Sequence, residues 1–289
     1  MLRRPPATPL APYCLLLWAC DGFAEQACPR PVREHMLPTG YMHLVFRMNA
    51  SPLTTFGATS GTARQSVGTA VIAGARPAHY LRERVTPTCS VGAVLRPGAA
   101  RRLFGISAAE LSARHTPLDE TWGTAAASMR DRLLEATRCA DRLLLLEAML
   151  TARVARLHGR ESGVCRTIAR MPALASVAEA ARQGGLSHRA FIARFRDEVG
   201  LAPKRYLRIV RFQQALHAIR GGGTVSLAAH AAQAGYSDQA HLCRDFLELA
   251  GVTPREYLRR NPVEANHLPA AAVATATGQI RSRPDLRRP

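Results

Sequence analysis

Arg189, Gln239 and Arg244 fall on two stretches of the chain that repeat one another, and their side chains share a chemistry. A guanidinium sets paired donors against O6 and N7 of guanine, and a carboxamide matches N6 and N7 of adenine, so these residue types on an outward helix face suit base-edge reading. A lone exposed arginine on a helix is ordinarily a solvated charge. What favours reading here is joint placement on matching faces of two repeats, and Arg244 carries that reading furthest.

The repeat runs GLSHRAFIARFRDEVGLAPKRYLR at 185–208 and GYSDQAHLCRDFLELAGVTPREYLR at 235–259. Gly185 and Gly235 lie 50 residues apart, whereas Phe195 and Phe246, Gly200 and Gly251, and Tyr206 and Tyr257 lie 51 apart, so the second copy holds one extra residue between its turn and its helix. A short small-residue helix precedes each copy, starting at Ser176 and at Ser226, both good N-caps; Glu179 completes a capping box for the first. Gly185 and Gly235 supply the positive-φ turn. Each unit is therefore a helix-turn-helix.

The second helices are expected over 187–199 and 238–249. Phe191, Phe195 and Val199 in one, and Leu242, Phe246 and Leu249 in the other, form inward faces. That leaves His188, Arg189, Ile192 and Ala193, and Gln239, Ala240, Cys243 and Arg244, facing outward near the helix starts, where a recognition helix meets bases. Ser187, His188, Arg194 and His241 are expected at the phosphate backbone; for His241, capping or packing is the equal alternative. Pro203 opens a connecting helix of roughly 16 residues, about 24 Å long, that could hold the reading helices ~34 Å apart, one DNA turn. Its apolar side reads as Leu207, Val210, Ala215, Leu216 and Ile219.

Charge agrees with an anionic partner. The 289 residues carry a formal net charge of +18, almost all of it arginine, since Lys204 is the only lysine. The seven cysteines show no CxxC spacing, which points to free thiols, and no apolar run approaches the ~20 residues of a membrane span, so a cytoplasmic protein without membrane association is expected. YCLLLWAC near the N-terminus reads as a buried strand rather than a signal segment, because Pro5, Pro6, Pro9 and Pro12 interrupt its approach.

The front of the chain alternates short apolar runs (YCLLLW, YMHLVF, TAVIAG, SVGAVL) with Gly, Pro and Ser, the pattern of a small sheet or barrel. Helices follow from Ala99, with a stripe of Leu143, Leu146, Leu150, Val154 and Leu157 widened by Leu144 and Met149. Packing on its own sheet is the plain reading of that stripe, and a dimer seam the alternative. The fold class is thus an α+β N-terminal domain over 1–157, a linker at 158–164, and an all-α domain over 165–261 with two helix-turn-helix units joined by a long helix. The chain is long enough for separate cores in the two domains. Residues 262–289 lack apolar periodicity and are expected to be a disordered tail.

From about Cys165 to Arg260 the chain resembles the DNA-binding domain of AraC-type (AraC/XylS) transcriptional regulators, on GYSDQAHLCRDF with GVTPREYLRR and on GLAPKRYLRIVRFQQAL. The resemblance implies seven helices and two units in successive major grooves, with base contacts at Arg189, Ile192 and Ala193, then at Gln239, Ala240, Cys243 and Arg244. Ala193 stands where many members carry arginine, which shifts specificity towards the second unit. MLPTGYMHLVF at 36–46, VGAVLRPGAARRLFGISAAEL at 91–111 and HTPLDETWG resemble the N-terminal domain of a subset of these regulators, which implies sensing of a small molecule or dimerisation. The partners so implied are double-stranded DNA, and beyond it RNA polymerase, a small-molecule effector and a second copy of the chain.

Other chemistry finds little footing. His35, His43 and His79 match no metal-ligand spacing, and SGTARQSVGT is a loop without a phosphate-binding lysine, so no catalysis, metal or cofactor is expected. The alternatives to a sequence-specific regulator are an architectural DNA binder that uses bulk charge, and a small-molecule enzyme fused to a DNA-binding module.

Overall fold

In the computed structural model the chain is described over residues 1–22, 32–56, 63–84, 89–156, 163–171, 176–221 and 226–270. Strands come first: β1 (Leu2–Arg4), β2 (Cys14–Asp21), β3 (Val32–Met36), β4 (Met42–Arg47), β5 (Thr54–Phe56), β6 (Arg64–Ser66), β7 (Ala70–Ala73), β8 (Tyr80–Arg84) and β9 (Cys89–Leu95). Helices α1 (Ala99–Phe104) and α2 (Ala108–Leu111) precede β10 (His115–Pro117), and α3 (Asp119–Trp122), α4 (Thr124–Glu135) and α5 (Cys139–Arg156) complete the N-terminal region. The C-terminal region holds α6 (Gly163–Arg170), α7 (Val177–Gln183), α8 (His188–Val199), α9 (Pro203–Arg220), α10 (Leu227–Gln233), α11 (Gln239–Ala250) and α12 (Pro254–Arg260), and ends in β11 (His267–Pro269).

The four apolar runs become β2, β4, β7 and β9 of one antiparallel sheet with strand order β1-β2-β9-β4-β7-β10. Alternate side chains of a strand face opposite ways, yet these runs are largely apolar because both faces are covered. Leu17, Ala19, Leu44, Phe46, Ile72, Val91 and Ala93 are buried on the face under α5. Leu16, Trp18, Val45, Val71 and Val94 line a cavity on the other face.

A second antiparallel sheet, β11-β3-β8-β5-β6, closes the far side of that cavity. Apolar patterning gave no sign of it, since β3 (VREHM) and β8 (YLRER) point Glu34, Arg82 and Arg84 into the cavity. The helical stripe on α5 packs on the first sheet as expected, with Leu143, Leu146 and Leu150 fully buried. Leu144 does not widen it: at 60% exposure it faces solvent. Leu157 lies outside the described residues.

Three expectations are corrected. The cores are not separate, because buried apolar residues from both regions form one continuous cluster. The linker at 158–164 is shortened, for α6 starts at Gly163, while residues 157–162 fall outside the described set. Nor does order end at Pro262: His267–Pro269 pair antiparallel with β3, placing His267 opposite Met36 and Pro269 opposite Glu34. Around this pairing Leu37 N donates to Asn266 O at 2.9 Å and Ala270 N to Arg33 O at 2.8 Å. Only Leu268 of this strand is fully buried, so the segment is held by backbone pairing and leaves no apolar rhythm to read. The rest of the expected tail, 271–289, is outside the described residues.

The segment after α12 acts as a strap. Arg220 Nη2 donates to Pro262 O and Val263 O, each at 3.2 Å, and the Tyr257 hydroxyl donates to Ala265 O at 2.9 Å. Gln213 Nε2 reaches both Asn266 Oδ1 at 2.9 Å and Pro38 O at 2.8 Å. Helices α9 and α12 are thereby tied through the strap to the second sheet.

Candidate nucleic-acid interface and interdomain cavity

The two helix-turn-helix units are built alike from the turn outwards. Gly185 (φ 65) and Gly235 (φ 77) are left-handed, and each first helix closes with the same pair of hydrogen bonds: Gly185 N to Arg182 O and Leu186 N to Ala181 O, Gly235 N to Ala232 O and Tyr236 N to Ala231 O. Ser187 Oγ accepts the Ala190 amide to cap α8, and an Asp238 carboxylate oxygen accepts the His241 amide to cap α11. The extra residue of the second copy is Ser237, which lengthens the turn and leaves the helix register intact.

The inward faces are as expected. Phe191, Phe195 and Val199 are buried in α8, and Leu242, Phe246 and Leu249 in α11. Helix α9 lies between the units but not quite on the face foreseen: Tyr206, Ile209 and Phe212 join Ala215, Leu216 and Ile219 in the core, while Leu207 and Val210 are half-buried. The difference arises because α9 is covered twice, by the two units and by the segment between β3 and β4 at Pro38 and Gly40, so its apolar residues do not form a single stripe. Phe212 packs edge-on against Phe246 at 5.1 Å, and Phe195 against Tyr206 at 5.5 Å.

Arg189, Ala193 and Arg194 are exposed on α8 with Ser187 and His188 at its start, and Ile192 is half-buried. On α11 Gln239, Ala240 and Arg244 are exposed and Cys243 is half-buried. His241 is packed, its ring edge-on to Tyr236 at 5.0 Å and its Nδ1 3.1 Å from Ser237 Oγ. Near the far end of α11, Arg208 bonds Asp245 Oδ1 at 2.8 Å and Glu248 Oε1 at 2.6 Å, and Arg205 bonds Glu248 Oε1 at 2.8 Å. These pairs hold the Glu248 carboxyl down to about 2 and set a guanidinium against each acid near the helix end.

Residues 180–260 match the family described as a helix-turn-helix domain. These residues are an AraC-type helix-turn-helix domain. Residues 2–117 match a family described as a domain of unknown function. Among solved structures the chain is similar to an apo variant of ToxT from Vibrio cholerae, at 9% identity and TM-score 0.44, covering 89% of this chain and 99% of that one. It is also similar to unsaturated fatty acid bound wild-type ToxT from the same organism, at 10% identity and TM-score 0.43, covering 88% and 96%. No curated protein is matched by sequence.

The AraC-type domain meets the N-terminal region at the C-terminal ends of both α8 and α11. Gly98 N donates to Glu198 O at 3.1 Å, and a Cβ on Gly200, the left-handed cap of α8, would stand 2.7 Å from Ala108 O of α2. Gly251 holds the same place after α11; a Cβ there would stand 2.6 Å from His79 Nε2. His79 N donates to Leu249 O at 3.0 Å, and its ring lies 5.0 Å from that of His35. His43, by contrast, faces the cavity with Nε2 3.2 Å from Thr39 Oγ1. Among the described residues no three His, Cys, Asp or Glu side chains are grouped as metal ligands, and no helix is long and apolar enough to cross a membrane.

The cavity, about 850 Å³, lies between the two sheets and is walled on the remaining side by α9 and the strap. Of its polar residues only His43 was singled out from the sequence, and that as a metal candidate set aside, although His43, Val45 and Arg47 alternate on β4 and so must share a face. Burial pushes the His35 and His43 imidazoles down to about 4 and His115 to about 3, with neighbouring cations adding to the shift at His35 and His115. Since each folded value lies below the ordinary 6.5, the unfolded chain binds more protons between those limits. Stability is therefore expected to be whole above about pH 6.5 and to fall as pH drops towards about 4. A melting series from pH 7.5 to 4.5 checks this, and His43→Gln should flatten the fall; a melting temperature indifferent to pH over this range contradicts it.

Proposed function

We propose that this protein is a sequence-specific transcription regulator that inserts α8 and α11 into successive major grooves and responds to a small molecule held in the cavity between its sheets. The observation that carries the first part is the exposure of Arg189, Gln239 and Arg244 at the starts of two identically capped recognition helices. Base contacts are assigned to Arg189, Ile192, Ala193, Gln239, Ala240, Cys243 and Arg244, and phosphate contacts to Ser187, His188, Arg194 and His241. The half-buried Ile192 and the small Ala193 leave α8 with one long reading side chain, so α11 supplies most of the base specificity. The cavity supports the second part, because its walls include both the sheets and the strap that leads back to α12.

The test is in vivo mapping of bound DNA followed by titration of the recovered site. Arg244→Ala is expected to weaken that site by about 1–3 kcal/mol and to relax one base position, leaving nonspecific affinity unchanged. Equal loss on all sequences would remove Arg244 from the readers, and occupancy without a shared motif would favour an architectural binder.

A further inference from the structure

We propose that Arg208 of α9 is a positioning residue for α11: by gripping Asp245 and Glu248 together it fixes the roll of that helix, and with it the bases that Gln239 and Arg244 can reach. This rests on the assignment of α11 as a base-reading helix. Helix α11 buries Leu242, Phe246 and Leu249 completely, and the three are spaced along a single line. Apolar contact is non-directional, so a helix held along one such line can roll about its axis at little loss of burial. With side-chain tips roughly 6 Å from the axis, a roll of about 20° carries them about 2 Å, whereas a recognition contact must be held within about 0.5 Å. Reading therefore depends on something that stops the roll.

Arg208 has that geometry. At about 100° per residue, Asp245 and Glu248 lie on the flank of α11 between the buried line and Arg244. The Arg208 guanidinium donates through Nε to Asp245 Oδ1 at 2.8 Å and through Nη1 to Glu248 Oε1 at 2.6 Å, so one planar fork pins two points of the helix about one turn apart. Glu248 also stands four residues after Arg244, within the range of side-chain pairing on a helix. Arg208 and Arg205, the latter at 2.8 Å, hold that carboxylate on the α9 side. A freed Glu248 would be drawn to Arg244 and would occupy donors that face a base.

Stability alone does not account for this grip. Asp245 is 4% exposed, and taking a carboxylate and a guanidinium out of water costs about as much as their attraction returns, so an apolar pair of similar size would serve the core as well. In the first unit the places 51 residues earlier are Arg194, which is exposed, and Asp197, which pairs with Arg101 of α1 at 3.1 Å. Among the described residues α8 receives no such fork from α9. The grip is thus confined to the helix that carries both Gln239 and Arg244.

Titration of the full chain onto the duplex recovered by in vivo mapping, and onto a scrambled duplex of equal length, tests the assignment. The double replacement Arg208→Met with Asp245→Leu removes the grip without altering net charge, so the melting temperature, the affinity for the scrambled duplex and its salt dependence should all hold. Affinity for the recovered duplex should fall by about tenfold or more, and only at the base positions that Gln239→Ala and Arg244→Ala relax. Arg208→Lys keeps the charge but lacks the fork, and should lose preference at the same positions. Full preference in either folded variant, or loss spread evenly over the whole site, overturns the assignment. Should the double replacement not fold, Arg208→Lys decides alone, and its unfolding would make Arg208 a structural residue and overturn the assignment too. An unaltered chain that cannot tell the two duplexes apart removes base reading by α11 itself, a different pattern from variants that read as well as the unaltered chain.

Discussion

Phe246→Ala is expected to unfold the second helix-turn-helix unit and abolish site-specific DNA binding. Phe246 is fully buried, meets Phe212 at 5.1 Å and Tyr257 at 5.6 Å, and so joins α9, α11 and α12 at a single point. Removing a buried phenyl ring costs about 3–5 kcal/mol, the lost transfer free energy plus the cavity left behind. That is a large part of what a domain holds in reserve. Both tryptophans, Trp18 on β2 and Trp122 on α3, belong to the N-terminal region, so their fluorescence follows that region alone. Urea titration should show far-ultraviolet ellipticity falling early while the tryptophan transition moves less. Coincident, unshifted transitions would mean that this aromatic junction does not support the unit.

Gly200→Ala is expected to destabilise the protein by about 2–5 kcal/mol, from two additive causes. At φ +84 an L-residue is strained by roughly 1–2 kcal/mol. The new methyl would also stand 2.7 Å from the carbonyl oxygen of Ala108, a backbone atom that cannot turn aside, and forced overpacking of this kind costs about 1–3 kcal/mol. Gly185→Ala isolates the first cause, since at φ +65 its Cβ would meet nothing within 4 Å. The two variants should therefore differ in melting temperature, Gly200→Ala being the lower. Equal melting would show that α8 and α2 do not press together as described.

The two helix-turn-helix units were legible in the sequence for a physical reason. Helix periodicity, N-caps and left-handed glycines are local properties, and here each occurs twice, so each copy checks the other. Ser187 and Asp238 cap the helices assigned to them, and the extra residue sits in the turn where the 50-to-51 change in spacing put it. Strands β2, β4, β7 and β9 were visible because each is a short, mostly apolar run bounded by turn residues. The second sheet was not, because Glu34, Arg82 and Arg84 give β3 and β8 the look of surface loops, and their polarity makes sense only once a cavity faces them. Strand β11 was hidden for another reason: three residues paired by backbone carry too little side-chain pattern. The cavity itself depends on chain crossings between distant residues, such as Arg82 with His267, which no local rule brings together.

Gly200 and Gly251 are equivalent in the repeat, yet they rest on unlike supports, a main-chain carbonyl of α2 and the imidazole of His79. The first is a stiff footing, fixed by backbone on both sides, and the second is soft, because a ring can rotate or take up a proton. A rigid body standing on one hard and one yielding foot pivots about the hard one. Any shift between the sheets and the helix-turn-helix units would then leave α8 nearly in place and swing α11, so under the proposed function the half-site assigned to Gln239 and Arg244 is the one whose occupancy should change.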